Sequence, residues 1–372
     1  MLKTLKRLAV VLAVLMANVG DTNAQVFTPP NATEFIYNSP NVMRSINTHN
    51  YSLANLNTGF GPMDLYISGW GTPNLNSEFI WQFTNPGSPT PVVAQGTFLY
   101  PGAADLSVGL VHNSITGRMN LLVAYHQAGA GHRMDIYEVT MSVVTPVVYV
   151  STMILSGSTA YGRIRIDSHK LYGVAVVWSY PGVGIQTLVG NSGTYSGVTT
   201  LTGTTGEMDP DVAFSHSSGS LNVHYAYNNP GTGNITESVA DWNVLLTTPV
   251  FLPPTIEDIN FVGPTKNVKV VIDCPDHYDV ENWAYTYTTN FSDVFVRYID
   301  YHSTGVPTTV SDNSGALGNV PTIGSFRVFS PTLYYGMDAL GAGTDQVHVG
   351  WYMSDGGGFN GYVGIQMKED GA

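Results

Sequence analysis

Apolar and polar residues alternate with a period of two in short runs separated by Gly, Pro, Asn and Ser, and one arrangement of these runs repeats. Residues 162–168 (GRIRIDS), a turn and 173–180 (GVAVVWSY) are followed, after 184–190 (GIQTLVG), by 210–217 (PDVAFSHS) and 220–227 (SLNVHYAY). Val174, Val176 and Trp178 take the places of Leu221, Val223 and Tyr225, so each long strand is expected to turn one face into a core. The long strand recurs at 63–70, 119–126, 267–274 and 345–353, and a further strand follows each copy, as at 78–83, 134–140, 235–242, 293–300 and 361–368. Most copies lie about 45 to 55 residues apart, and no stretch shows helical periodicity.

Six antiparallel units of about four strands predict an all-β fold, a single β-propeller of six blades spanning residues 25–372, rather than a sandwich. The last unit stops on its third strand at 361–368, and residues 33–37 (TEFIY) are expected to supply the missing strand and close the ring, sparing two sheet edges. Between 267 and 345 the spacing widens, with insertions expected at 275–290 and 303–325. A seventh, degenerate blade within the second remains open.

Residues 1–24 have the form of a secretion signal, with Lys3, Lys6 and Arg7 before an apolar run and Thr22-Asn23-Ala24 before Gln25. The apolar run is too short to span a bilayer, and export to the periplasm, cell surface or medium without membrane insertion is expected. Removing the signal leaves 11 basic and 26 acidic residues, a net charge of −15, which argues against nucleic acid as a partner. Cys274 is the only cysteine, so packing rather than a disulfide must hold the chain together.

Three sets of residues could carry chemistry. Asp105, Asp211 and Asp258 align at the start of an inner strand, with Arg163 at the matching place in the third unit. Near a propeller axis such carboxylates would converge on a cation or act as acid and base; each could equally accept hydrogen bonds from its own turn. Trp70, Tyr125, Trp178, Tyr225 and Trp351 recur near the end of the long strand, as flat faces for sugar rings or as packing between blades. Asp273, Asp276, His277 and Asp279 form an oxygen-rich cluster that suits calcium, with His277 also allowing a transition metal, or else a solvated loop.

Nucleophile elbow, zinc-protease, P-loop and dinucleotide signatures are absent, which lowers the expectation of an enzyme. With its signal ending Ala24-Gln25 and its Thr-, Asn- and Gly-rich strands, the chain resembles secreted β-propellers of the Bacteroidota. That resemblance implies an exported repeat protein and assigns no residue a role. The function expected is binding, a loop-rich face offered to a protein partner or a glycan at the cell envelope. A polysaccharide lyase or glycosidase using the axial carboxylates, and a structural subunit of a surface assembly, are the other readings.

Overall fold

The structure is a computed structural model. It describes twenty-five strands between Arg44 and Lys368, with short connections such as 128–130, 155–163 and 181–183, and side chains chiefly between 77 and 240. The described residues contain strands and turns and no helix long and apolar enough to cross a membrane. All twenty-five strands fall into six sheets, each an antiparallel meander in chain order, and the chain is all-β.

Two compact units divide the chain, Tyr37–Pro264 and Met1–Ile36 with Thr265–Ala372. The first holds four sheets. Sheet one is β1 (Arg44–Ser52), β2 (Asp64–Gly71), β3 (Asn76–Thr84) and β4 (Val92–Pro101); sheet two is β5 (Ala103–Asn113), β6 (Arg118–Gln127), β7 (Gly131–Val139) and β8 (Val147–Ile154). Sheet three is β9 (Ile164–His169), β10 (Gly173–Tyr180) and β11 (Gly184–Asn191), edged by β12 (Thr194–Tyr195) and β13 (Thr199–Thr200). Sheet four is β14 (Met208–Ser217), β15 (Ser220–Asn229) and β16 (Asn234–Trp242), edged by β17 (Val250–Phe251) and β18 (Thr255–Asp258).

These four sheets stack face to face in sequence order. Phe79, Trp81 and Tyr100 of sheet one pack on Leu121, Val123 and Tyr125 of sheet two. The opposite face of sheet two, with Leu122, Ala124 and Met134, packs on Val174, Val176 and Trp178 of sheet three. Ala175 and Val177 then meet Val223 and Tyr225 of sheet four. The expectation of one buried face per long strand is therefore corrected: β6 and β10 bury both. Burial on both faces is why MNLLVAY and GVAVVW read as nearly continuous apolar runs. Burying side chains of this size contributes roughly 1.5–3 kcal/mol each.

The first strands β5, β9 and β14 lie side by side, each packed on the next. Side chains tie them: Ser107 Oγ accepts the Ile166 N–H at 3.1 Å, and Ser168 Oγ accepts the Leu110 N–H at 2.8 Å. Partners rise together along β5 and β9, so the two strands run in the same direction.

The second unit holds sheet five, β19 (Lys269–Asp273), β20 (Trp283–Thr289), β21 (Asp293–Asp300) and β22 (Thr308–Asp312), and sheet six, β23 (Arg327–Met337), β24 (Asp345–Ser354) and β25 (Asn360–Lys368). Here the expected boundaries shift. Residues 267–274 were expected to be a second strand, but β19 is the first strand of its sheet, and the supposed insertion at 275–290 contains β20. The insertion at 303–325 likewise contains β22, which pairs with β21. Tyr, Thr and Val in these segments have ordinary strand preferences; their polar flanks had masked the period. No described strand is left over for a seventh sheet. Sheet six has three described strands, and residues 33–37 lie outside the described residues.

Candidate functional site

A bulge interrupts the first strand of four sheets, at Arg44–Asn47, Ala104–Ser107, Met208–Asp211 and Phe329–Thr332. Each sets two residues of the first strand opposite a single residue of the second, which bends the strand and re-aims its side chains. Asp105 and Asp209 sit inside two of these bulges in the left-handed region, at φ 57° and 51°. Asp tolerates that region better than most residues because its short carboxylate bonds locally.

The bulges revise the alignment of the candidate residues. Counted by pairing, Ser107, Arg163 and Asp211 are equivalent, opposite Ala124, Ser179 and Ala226. Asp105 is equivalent to Asp209, two residues earlier. Asp258 does not begin an inner strand: it ends β18, pairs with Ile235 of β16 and lies at the outer side of sheet four. Of the Asp-apolar-x-apolar pattern there, only Asp258 falls on β18; residues 259–261 lie outside the described residues.

Around β9 the structure gathers Asp105, Arg163 and Asp211, together with Arg165 and Asp209, which the sequence pattern missed. Asp105 is 2% exposed. Its Oδ2 accepts the Ile164 N–H at 2.8 Å and its Oδ1 accepts Arg165 Nη1 at 2.8 Å. Arg165 also donates to the Ile164 carbonyl at 2.6 Å, and Arg163 Nη1 reaches the Asp209 carbonyl at 3.4 Å.

Burial pushes the Asp105 carboxyl up, but the Arg165 and Arg163 guanidiniums outweigh it and hold the group below the usual carboxylate range. Burial and the neighbouring Arg165 lower Arg163, against the pull of Asp211, Asp209 and Asp105. Burial also disfavours the Arg165 charge, but Asp105 and Asp211 more than offset it, and Arg165 is raised. Three carboxylates and two guanidiniums thus gather along three adjacent first strands, with Asp105, Arg163, Arg165 and Asp211 buried and Asp209 half-buried.

A histidine pair walls one side. His126 and His132 face each other across β6 and β7, with ring centroids 4.9 Å apart, and the Tyr161 ring lies 5.6 Å from His126. His132 bonds Ser156 Oγ at 2.8 Å through Nδ1 and the Gly162 carbonyl at 2.9 Å through Nε2. The carbonyl can only accept, so Nε2 carries the proton and the Ser156 hydroxyl donates to Nδ1. Burial lowers His132 to about 4. Glycine is required beside it: Gly131 has φ 88°, and a Cβ there would strike the Ser156 carbonyl oxygen.

The aromatic set divides. Trp178 and Tyr225 lie opposite Ile164 and Val212 in the regular ladder and are fully buried between sheets. Trp178 Nε1 donates to Gln186 Oε1 at 3.1 Å, and the Tyr225 hydroxyl receives Thr187 Oγ1 at 3.0 Å. Tyr125 instead lies opposite a bulge, a position shared by Trp70, Tyr227 and Trp351. Tyr125 is 6% exposed, packs against the Tyr100 ring at a tilt of 56° with centroids 4.7 Å apart and donates to Asp135 Oδ1 at 3.3 Å. Tyr125, Trp178 and Tyr225 therefore fill the space between sheets and offer no open face to a sugar.

Asp273 ends β19, while Asp276, His277 and Asp279 lie outside the described residues. Among the described residues no three of His, Cys, Asp and Glu converge on a metal position.

Neither a family model nor a curated protein matches the chain. Among solved structures it is similar to AofleA from Arthrobotrys oligospora, at 9% identity over 88% of this chain and 84% of that one, TM-score 0.48. It is also similar to the six-bladed β-propeller lectin of Aleuria aurantia, at 10% identity over 90% and 99% of the two chains, TM-score 0.46. The catalytic domain of the Coprinopsis cinerea GH62 α-L-arabinofuranosidase matches at 10% identity over 73% and 92%, TM-score 0.36. At this distance no residue's role transfers from any of them.

Proposed function

We propose that the chain is a single six-bladed β-propeller, closed by residues 33–37 on sheet six, whose role is to bind a glycan or a protein partner rather than to catalyse. It is exported after loss of residues 1–24 and works at the cell envelope, as a binding or structural subunit. Six meanders in chain order, four of them stacked face to face with the inner two buried on both faces, support the propeller.

One observation carries the binding reading: both Asp105 carboxylate oxygens are already committed, to Ile164 and Arg165, in a residue 2% exposed. A general acid or base must reach its substrate within hydrogen-bond distance, and a carboxylate engaged in this way does not. Recognition then falls to the surface and to the connections, above all the acidic segment 274–282 between β19 and β20, whose Asp276, His277 and Asp279 with Asp273 suit calcium.

The test replaces residues 275–282 with a Gly-Ser linker, sparing β20, and measures capture on a glycan array and from envelope extract, with and without chelator. Capture lost in the variant while its melting is unchanged supports the reading. Equal capture contradicts it, as does turnover of a polysaccharide that Asp211→Asn abolishes.

A further inference from the structure

The outer edge of sheet two differs from those of sheets three and four. Sheets three and four end in pairs of short strands, β12 with β13 and β17 with β18, which leaves little continuous edge to pair with another chain. β8 instead runs for eight residues, broken only by a bulge at Val150, and among the described residues it pairs with β7 alone. Val148, Tyr149, Val150 and Ile154 are 41%, 53%, 56% and 66% exposed. Consecutive residues of a strand point to opposite faces, so from Val148 to Thr152 both faces of β8 are exposed, while Val147 and Met153 near its ends pack against the core. The strand has neither the lysine nor the proline that commonly protects such an edge.

We propose that β8 is a self-association edge, at which the β8 strand of a second copy of this chain adds antiparallel and joins two four-stranded sheets about a two-fold axis. Charge selects the occupant. The chain carries a net −13, so most of its surface repels its own image. From 139 to 162 the sequence holds no Asp, Glu, Lys, Arg or His, and β8 lies inside that span. Two copies can meet here without like charges opposed, and a two-fold contact needs only one self-complementary patch. Main-chain hydrogen bonds would supply affinity, while Val148, Tyr149 and Ile154 would bury apolar surface against their counterparts. The inference is independent of what the protein captures elsewhere.

Sedimentation of the purified chain, with hydrogen exchange at high and low concentration, tests it. The expected result is a reversible dimer whose formation protects residues 147–154, weakened at least tenfold by Val150→Lys. Val150 lies in the bulge between the pairs Tyr149–Tyr137 and Ser151–Ile136, so the ladder to β7 tolerates that change. A monomer at every concentration overturns the proposal, as does a dimer indifferent to Val150→Lys and Val148→Lys. If both variants fail to fold, exchange in the unaltered chain decides, and protection of 147–154 that ignores dilution overturns it.

Discussion

Asp105 and Ile164 belong to neighbouring sheets, yet Asp105 Oδ2 accepts the Ile164 N–H at 2.8 Å. The bond recurs one sheet further on, where Asp167 Oδ2 accepts the Phe214 N–H at 2.9 Å. First strands of adjacent sheets do not share a ladder, so their facing N–H groups need other acceptors, and Asp and Ser side chains provide them.

Asp167→Ala should therefore destabilise the fold by roughly 1–3 kcal/mol, because the Phe214 N–H is left without its acceptor. Urea unfolding would show a lower midpoint with an unchanged slope. An unaltered midpoint would mean that water replaces the carboxylate at no cost.

Trp178→Ala should cost roughly 3–5 kcal/mol, since the side chain is fully buried among residues of sheets two and three. Thermal unfolding checks this. If Trp178 were a ligand platform, its loss would reduce glycan capture and leave melting nearly unchanged.

Stability should fall on mild acidification through His132. Its folded pKa is about 4 against an ordinary 6.5, so the unfolded chain takes up the proton first. The contribution is complete above about pH 6.5, declines as pH falls toward 4 and is flat below, amounting to at most about 3 kcal/mol. His126, lowered mainly by burial, adds a loss of the same sign, while Asp105 raises both groups. Unfolding free energies between pH 7 and 4 should slope less steeply in His132→Asn than in the unaltered chain.

The sequence made the all-β class and the run of meanders legible, because the period of two and the turn residues are local signals. It made the candidate site legible only in part. Asp105, Arg163 and Asp211 do gather, but the bulge at Ala104–Ser107 puts Asp105 two places ahead of Asp211 in register. A bulge leaves no mark in a pattern counted from one end of a strand, so Asp209 was passed over and Asp258 admitted. Arg165, two residues beyond Arg163 and on β9, was the one missed residue that the period of two could have flagged. Tyr125 was placed with Trp178 and Tyr225 for the same reason, whereas by pairing it belongs with Trp70, Tyr227 and Trp351. Burial of both faces in sheets two and three depends on neighbours about fifty residues away, which no strand's own pattern reports.

The central claim is that the acidic residues at the first strands bind one sheet to the next instead of serving a reaction, and the Asp105–Arg165 pair is where it is most exposed to test. A double-mutant cycle with Asp105→Asn and Arg165→Met measures their coupling directly. The prediction is a single loss of about 3–5 kcal/mol for Asp105→Asn, which strands a buried guanidinium, and a coupling of about 2–3 kcal/mol. Effects that add to within about 0.5 kcal/mol would contradict it.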